Sequence, residues 1–203
     1  MTDQASKPAA NDSEINIKGQ TVNNIQANTV TVQFGRTGDI EAHDVLLSLA
    51  GAEQITADSA ELRLAAAQSV QADQINIRQG VVMQGRAESL SMTQAGLVFA
   101  EAKQAQLTAS SVGAVLAGDQ VTLDQSFARA VITRGDVTMD QSLNGIVIGR
   151  DVTTGQNTGT VFLLAGRING NVNSIFSPAA SAAFGAAFAL VLALVLWLRR
   201  RFA

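Results

Sequence analysis

An alanine recurs every fifteen residues across positions 27–117 of this chain, and that spacing limits the possible folds more than any other feature. Other apolar or small residues keep fixed offsets from it: two residues before, and three, five, eight and ten residues after. The inward-facing candidates therefore come in pairs separated by one residue, with three pairs in each repeat. The alanines are Ala27, Ala42, Ala57, Ala72, Ala87, Ala102 and Ala117.

Each pair is typical of a short β-strand, because successive side chains of a strand leave opposite faces. Three strands per period predict a three-sided coil that hydrogen-bonds to the next coil at a rise of ~4.8 Å. The sequence therefore predicts an all-β fold, a single-stranded parallel β-helix. More specifically, it predicts a triangular β-solenoid with about 15 residues per coil. A helical array is disfavoured, since its apolar positions would recur at spacings of three and four residues.

The repeat extends beyond the alanine series in both directions. Ile15, Ile17 and Val22 are already in phase, and Gly118 acts as an inserted residue that moves the next pair to Val121 and Leu123. About ten coils would form a rod roughly 50 Å long. A second shift precedes Val137 and Met139. The pattern does not set the register of the last turns, which are assigned to Ile146, Ile148, Val152, Phe162, Leu164 and Ile168.

The chain divides into three parts. Residues 1–14 are small and polar and predict a disordered N-terminal tail, and residues 15–176 form the β-solenoid. Residues 177–203 predict a C-terminal transmembrane α-helix with a basic end, because 179–198 carry no charge and would span roughly 30 Å as a helix. The residues expected at the membrane interface are Trp197, Arg199, Arg200 and Arg201.

Composition excludes several classes of function. The chain has no cysteine and one histidine, so disulfides, thiolate metal sites and most general-base constellations lack their residues. A net charge of -3 argues against nucleic acid as a partner. We predict no enzyme activity, no catalytic residue, no cofactor and no metal site.

One outward column deserves a separate test, because stacked coils would place its carboxylates about 5 Å apart. That spacing matches a retaining glycosidase pair or a weak cation site. A solvated polar corner is the favoured interpretation, since Asp suits turn geometry and a lysine relieves the charge. The column contains Asn28, His43, Asp58, Asp73, Glu88 and Lys103.

Two stretches resemble known repeat families. The unit Ile55-x-Ala57-Asp58 is similar to pentapeptide-repeat solenoids, although three units per coil rather than four would give a triangle. The segments 135–137 (Gly-Asp-Val) and 148–152 (Ile-Gly-Arg-Asp-Val) resemble bactofilins, which are membrane-associated bacterial solenoids that polymerise. The resemblance implies a solenoid that assembles at a membrane. The fifteen-residue coil is also similar to that of some insect antifreeze proteins, but their Thr-x-Thr ladder is absent.

The third side of the predicted triangle carries apolar residues on its outer face as well as its inner one. An exposed apolar strip usually marks a surface that another molecule covers. We predict a non-enzymatic, membrane-anchored scaffold that self-associates through this face as a homo-oligomer. The alternatives are an accessory subunit docked on a larger membrane complex, or an exported adhesin or glycan-binding protein. The predicted interaction face is Leu49, Leu64, Val81, Met83, Val98 and Phe99.

Two sequence rules disagree about which side of the membrane the solenoid occupies. The arginines after residue 198 favour a cytoplasmic C-terminus and an exported solenoid. Residues 1–14, however, have no secretory leader pattern, and a short basic tail is easier to translocate than a folded solenoid. We expect a single-pass C-terminal anchor with the solenoid in the cytoplasm, the exported location being the alternative.

Overall fold

The computed structural model describes residues 14–170 and 173–174, which form a parallel β-solenoid of about 10 turns with ~15 residues per turn. Every strand pair is parallel, and the partner lies one coil away. The all-β prediction is confirmed for these residues. The strands are β1 Glu14–Lys18, β2 Thr21–Gln33, β3 Arg36–Ser48, β4 Gly51–Arg63, β5 Ala66–Arg78, β6 Val81–Thr93, β7 Gly96–Thr108, β8 Ser111–Asp124, β9 Phe127–Thr133, β10 Asp136–Asp140, β11 Leu143–Thr154, β12 Gly159–Gly170 and β13 Asn173–Ser174.

No helix within the described part of the chain has the length and apolar character needed to cross a membrane. The span predicted at 179–198 lies outside the described residues, as do Trp197 and the three arginines that follow it.

The interior is built from stacked columns of like residues. From β1 to β7 each residue pairs with the one fifteen positions later, so Ile25, Ile40 and Ile55 stack in one column. Another inward column, at the end of the second side of each coil, contains Leu47 and Leu62, both 0% exposed. Each such side chain contributes roughly 1.5–3 kcal/mol through removal from water. The repeated spacing thus produces a continuous apolar core along the rod.

Burial divides each coil into three sides. In the coil that contains β4, the inward pairs lie at 55 and 57, at 60 and 62, and at 65 and 67. We name the stretches 55–57, 60–62 and 65–67, with their equivalents in other coils, the first, second and third side. The two-residue steps between them are corners. The alanine series predicted to face inward ends the first side and is buried or half-buried throughout.

One corner, between the second and third sides, has a left-handed backbone in every coil. The second residue of this corner has a positive φ, near +50° at the non-glycine positions, although glycine occupies it only once. Its backbone N–H donates to a carbonyl of the next coil, as from Leu49 to Arg63 at 3.0 Å. We name this column the left-handed corner. It contains Gly19, Phe34, Leu49, Leu64, Gln79, Gln94, Ala109, Gln125, Gln141 and Asn157.

The inserted residue predicted at Gly118 is confirmed. The pairing of β7 with β8 shifts between Ala102 and Gln104, and Leu107 therefore aligns with Leu123, sixteen positions later. The second predicted shift is also present, since β10 pairs with β8 at the same spacing. Both extra residues lie at the corner between the first and second sides, where they leave the buried columns intact.

The last turns differ from the sequence assignment. Val152 is buried as predicted, but Val147 faces the core while Ile146 is 44% exposed and Ile148 is half-buried. The cause is register, because β11 pairs Val147 with the buried Val131 and leaves its two isoleucine neighbours outside. The other residues named for the last turns, Phe162, Leu164 and Ile168, are exposed.

Serines replace alanine in one buried column near the left-handed corner. Ser110, Ser126 and Ser142 each donate their hydroxyl to the carbonyl two residues earlier at 2.7 Å. Each hydroxyl also accepts a backbone N–H from the previous coil, as from Ser110 N to Ser126 Oγ at 3.2 Å. The column is therefore polar but its hydroxyls are hydrogen-bonded, which removes the cost of burying them.

Ala72 and Asp73 provide a test of the inward and outward pattern. Ala72 is buried and Asp73 is exposed. Ala72→Leu should lower the free energy of unfolding by roughly 1–3 kcal/mol through overpacking. Asp73→Leu should change it by no more than about 0.5 kcal/mol. Urea midpoints of the full chain in mild detergent measure both, and equal shifts would contradict the assigned faces.

Candidate interaction surface

An exposed apolar strip crosses the third side diagonally. It consists of Leu49, Leu64, Val81, Met83 and Val98, which are 48–57% exposed. These residues extend over about four coils, or roughly 15–20 Å. All five belong to the face that the sequence predicted to point outward.

Leu49 and Leu64 occupy the left-handed corner, at φ values of 53° and 50°. A left-handed backbone costs a residue with a Cβ roughly 1–2 kcal/mol, and glycine or asparagine would lower that cost. About half of each leucine is in water, so core packing compensates only in part. The same positive φ recurs at this corner in every coil, so the large exposed apolar side chain is what sets these two coils apart from the glutamine coils that follow.

The other three residues lie further along the same side. Val81 occupies the middle of the third side, and Met83 and Val98 occupy the corner that leads to the next coil's first side. Phe99, predicted to face outward with them, is half-buried and is therefore not counted in the exposed strip.

Small residues keep the surface beside the strip flat. Gly51 and Ala66 lie in the same column as Val81, and Gly96 follows it. Together with Leu49 and Leu64 they line a shallow groove of about 740 Å³. A flat face with a shallow groove suits contact with an extended or equally flat partner.

Glutamines occupy the left-handed corner at positions 79 and 94, while the strip continues on the third side through Val81, Met83 and Val98. Gln79 donates its side-chain amide to the Gln94 carbonyl oxygen at 3.1 Å. This pairing along the rod satisfies part of the hydrogen-bonding capacity of both amides. The corner is thus apolar at Phe34, Leu49 and Leu64 and, apart from Ala109, polar from Gln79 onward.

The equivalent positions of the first side are polar in the same coils. Gln26 donates to Glu41 at 2.8 Å, and Arg86 donates to Glu101 at 2.8 and 3.0 Å. These pairs are exposed and each contributes little to stability. They show that the apolar strip belongs to one side of the rod rather than to its whole circumference.

The carboxylate column is exposed, as predicted, and four of its six members form pairs along the rod. His43 contacts Asp58, and Lys103 contacts Glu88. The hydrogen bond from Lys103 to Glu88, and the charge of that carboxylate, raise the pKa of Lys103. Lys103 is protonated at neutral pH, and the stabilisation linked to its raised pKa is lost as the pH rises through that raised value.

Across the described residues, no group of three or more His, Cys, Asp or Glu side chains could hold a metal ion. Asp58, Asp73 and Glu88 are all exposed, and His43 and Lys103 contact the outer two carboxylates from either side of the three. This arrangement fits the solvated-corner interpretation of the column.

Asn144 is the one buried side chain of the described residues with an unpaired polar atom. It is 1% exposed, its Nδ2 donates to the Met139 sulfur at 3.0 Å, and its Oδ1 has no hydrogen-bond partner. Asn144 aligns with Ala128 in the preceding coil and Thr160 in the following one. This region of the core is therefore more polar than the early coils.

Sequence reasoning missed one residue that continues the strip. Phe34 is 66% exposed and lies in the left-handed corner, one coil before Leu49. The signal was available in the sequence, because positions 34, 49 and 64 keep the fifteen-residue spacing and are all large and apolar.

No protein-family model matches the chain, and searches of curated proteins and of solved structures returned no significant match. The observed solenoid with ~15 residues per turn is consistent with a repeat β-helix, but no family identity follows from it.

Alanine at the left-handed corner allows a test of its backbone. Ala109 and Ala66 are both exposed, but only Ala109 has a positive φ, of 48°. Ala109→Gly should raise the free energy of unfolding by about 0.5–1 kcal/mol, because glycine adopts that φ without strain. Ala66→Gly should lower it by a similar amount. Urea denaturation measures both, and the same sign for the two variants would refute a strained corner.

Proposed function

We propose that this protein is a non-enzymatic scaffold, anchored to a membrane by its C-terminal segment, that self-associates through the apolar strip. The observation that carries the proposal is the strip itself, with two exposed leucines held in an unfavourable backbone. Exposing apolar surface to water over several coils costs free energy, so binding of a second surface that covers the strip is favoured.

A second copy of the chain is the simplest occupant of the strip. A flat β-face can pair with its own copy about a two-fold axis, because such an interface requires only that one patch complement itself. Side chains repeat at the coil spacing in both copies, so residues of one strip can fill the spaces between those of the other. Leu64 lies near the centre of this contact.

The membrane part of the proposal rests on sequence. Residues 179–198 are uncharged, and Trp197 and the following arginines match the aromatic and basic residues found at membrane interfaces. The finer resemblance to bactofilins, which also assemble at membranes, belongs to this proposal as well. Anchoring would confine the rods to one plane and raise their effective concentration, which favours pairing between weakly complementary faces.

Disulfide crosslinking tests self-association, because the chain has no cysteine of its own. In membranes that contain the full chain, Leu64→Cys should form a disulfide-linked dimer on oxidation. Thr56→Cys, exposed on the first side of the same coil, is the control and should stay monomeric. Adding Val81→Asp to the Leu64→Cys variant should abolish most of the dimer, since it places a charge in the apolar contact.

The outcome separates the proposal from its main alternative. A crosslink from position 64 to a different protein, in fixed ratio, would identify the strip as the docking face of an accessory subunit. If the Leu64→Cys variant is folded and forms no crosslink, both proposed uses of the strip, self-association and docking on another protein, are refuted.

We place the solenoid in the cytoplasm as part of the same proposal, and cysteine labelling tests it. Asp73→Cys puts a thiol on an exposed corner. A membrane-impermeant maleimide should leave this thiol unlabelled in intact cells and label it after permeabilisation. Labelling of intact cells would instead place the solenoid outside, where the adhesin or glycan-binding alternative becomes the better explanation.

A further inference from the structure

A second apolar surface lies at the C-terminal end of the rod, around the corner between the third and first sides. It is distinct from the strip, which occupies the early coils. We name it the C-terminal apolar corner. It consists of Phe127, Ile132, Leu143, Ile146, Phe162 and Leu164, each 40–56% exposed.

These six residues form three short columns along the rod. Phe127 aligns with Leu143 on the third side, and Ile146 aligns with Phe162 at the corner itself. Ile132 and Leu164 lie on the first side, one coil to either side of Ile148. The exposed apolar side chains are therefore adjacent in space rather than scattered.

Two of these columns change from polar to apolar along the rod. On the first side the column runs through Arg86 and Glu101 and then switches at Leu116 to apolar residues. At the corner, the column that runs through Ile146 to Phe162 contains Gln54 and Gln84 in earlier coils and is apolar from Phe99 onward. Since the backbone geometry is repeated in each coil, the switch is a property of the position along the rod.

Charge changes along the rod in the same place. Residues 14–124 contain six basic and twelve acidic side chains, whereas residues 125–170 contain four basic and three acidic ones. One of the four, Arg129, is exposed beside this corner. The acidic part of the solenoid thus lies away from the C-terminal end. An anionic surface would repel the acidic part more than it would repel the C-terminal end.

The chain enters its uncharged segment from this end of the rod. Only residues 171–178 separate β12 from the segment 179–198, and eight residues reach at most roughly 30 Å. Given the proposed membrane anchor, on which this inference rests, the last coils lie within that distance of the bilayer.

We infer that the C-terminal apolar corner contacts the surface of the lipid bilayer, with its side chains at the level of the headgroups and upper acyl chains. Large apolar and aromatic residues beside an arginine are the composition that partitions into this interface. The contact orients the rod, directing its acidic early coils and the apolar strip away from the lipid. The strip is then available for a protein partner rather than for the membrane.

Fluorescence quenching in vesicles tests the contact in the full chain. Ile146→Cys and Gln54→Cys place a thiol in the same corner column, six coils or roughly 30 Å apart, and both sites are exposed. Each is labelled with an environment-sensitive fluorophore in anionic vesicles that carry brominated acyl chains. The label at position 146 should shift to the blue and lose most of its emission, while the label at position 54 should show neither change.

A third label, at Leu192→Cys, separates this inference from the proposed anchor. Quenching at 192 without quenching at 146 overturns the lipid contact but leaves the anchor in place. A blue shift at 146 without quenching also overturns it, because protein rather than lipid then covers the corner. No quenching at 192 removes the proposed anchor, and the lipid contact with it.

Discussion

Hydrogen bonds between successive coils run along the axis of this rod. Each coil must therefore have the same number of residues as its neighbour, or the side chains of the two coils lose their alignment. From β1 to β7 the match is kept at fifteen residues, and every column of inward side chains stays in line. Because the chain alternates between inward and outward residues within each side, a slip of one residue would exchange the core for the surface. The constancy of the repeat follows from this penalty.

Three extra residues show where the coil tolerates a change. Two lie at the corner between the first and second sides, at Gly118 and again before Val137, and the third lies at the left-handed corner, between Thr154 and Gly159. All three are at corners. A corner can lengthen because its outward residues make few packing contacts, whereas a side cannot. The later coils also bury more polar side chains, namely the serine column and Asn144, and these impose hydrogen-bond geometry on the core there.

The outer surface is differentiated along the rod even though the backbone is nearly uniform. The apolar strip occupies the third side of the early coils, and the C-terminal apolar corner occupies the last coils. In the coils of the strip, the other exposed columns carry glutamine, glutamate and arginine that pair from coil to coil. A regular scaffold allows this separation, since an outward residue can change without altering the core beneath it. Two interaction surfaces can therefore be placed at different heights on one rod.

The sequence by itself determined the fold class, the coil length, the core columns through Leu123 and the outward direction of the apolar strip, because each depends on spacing alone. It did not determine the last turns: the run Ile146-Val147-Ile148 has no alternation, and only pairing with Val131 decides that valine faces inward. It also gave no sign of the left-handed corner, because leucine and glutamine have no preference for a positive φ. That conformation is imposed by the coil-to-coil hydrogen bonds at the corner, which form only when the neighbouring coil is present.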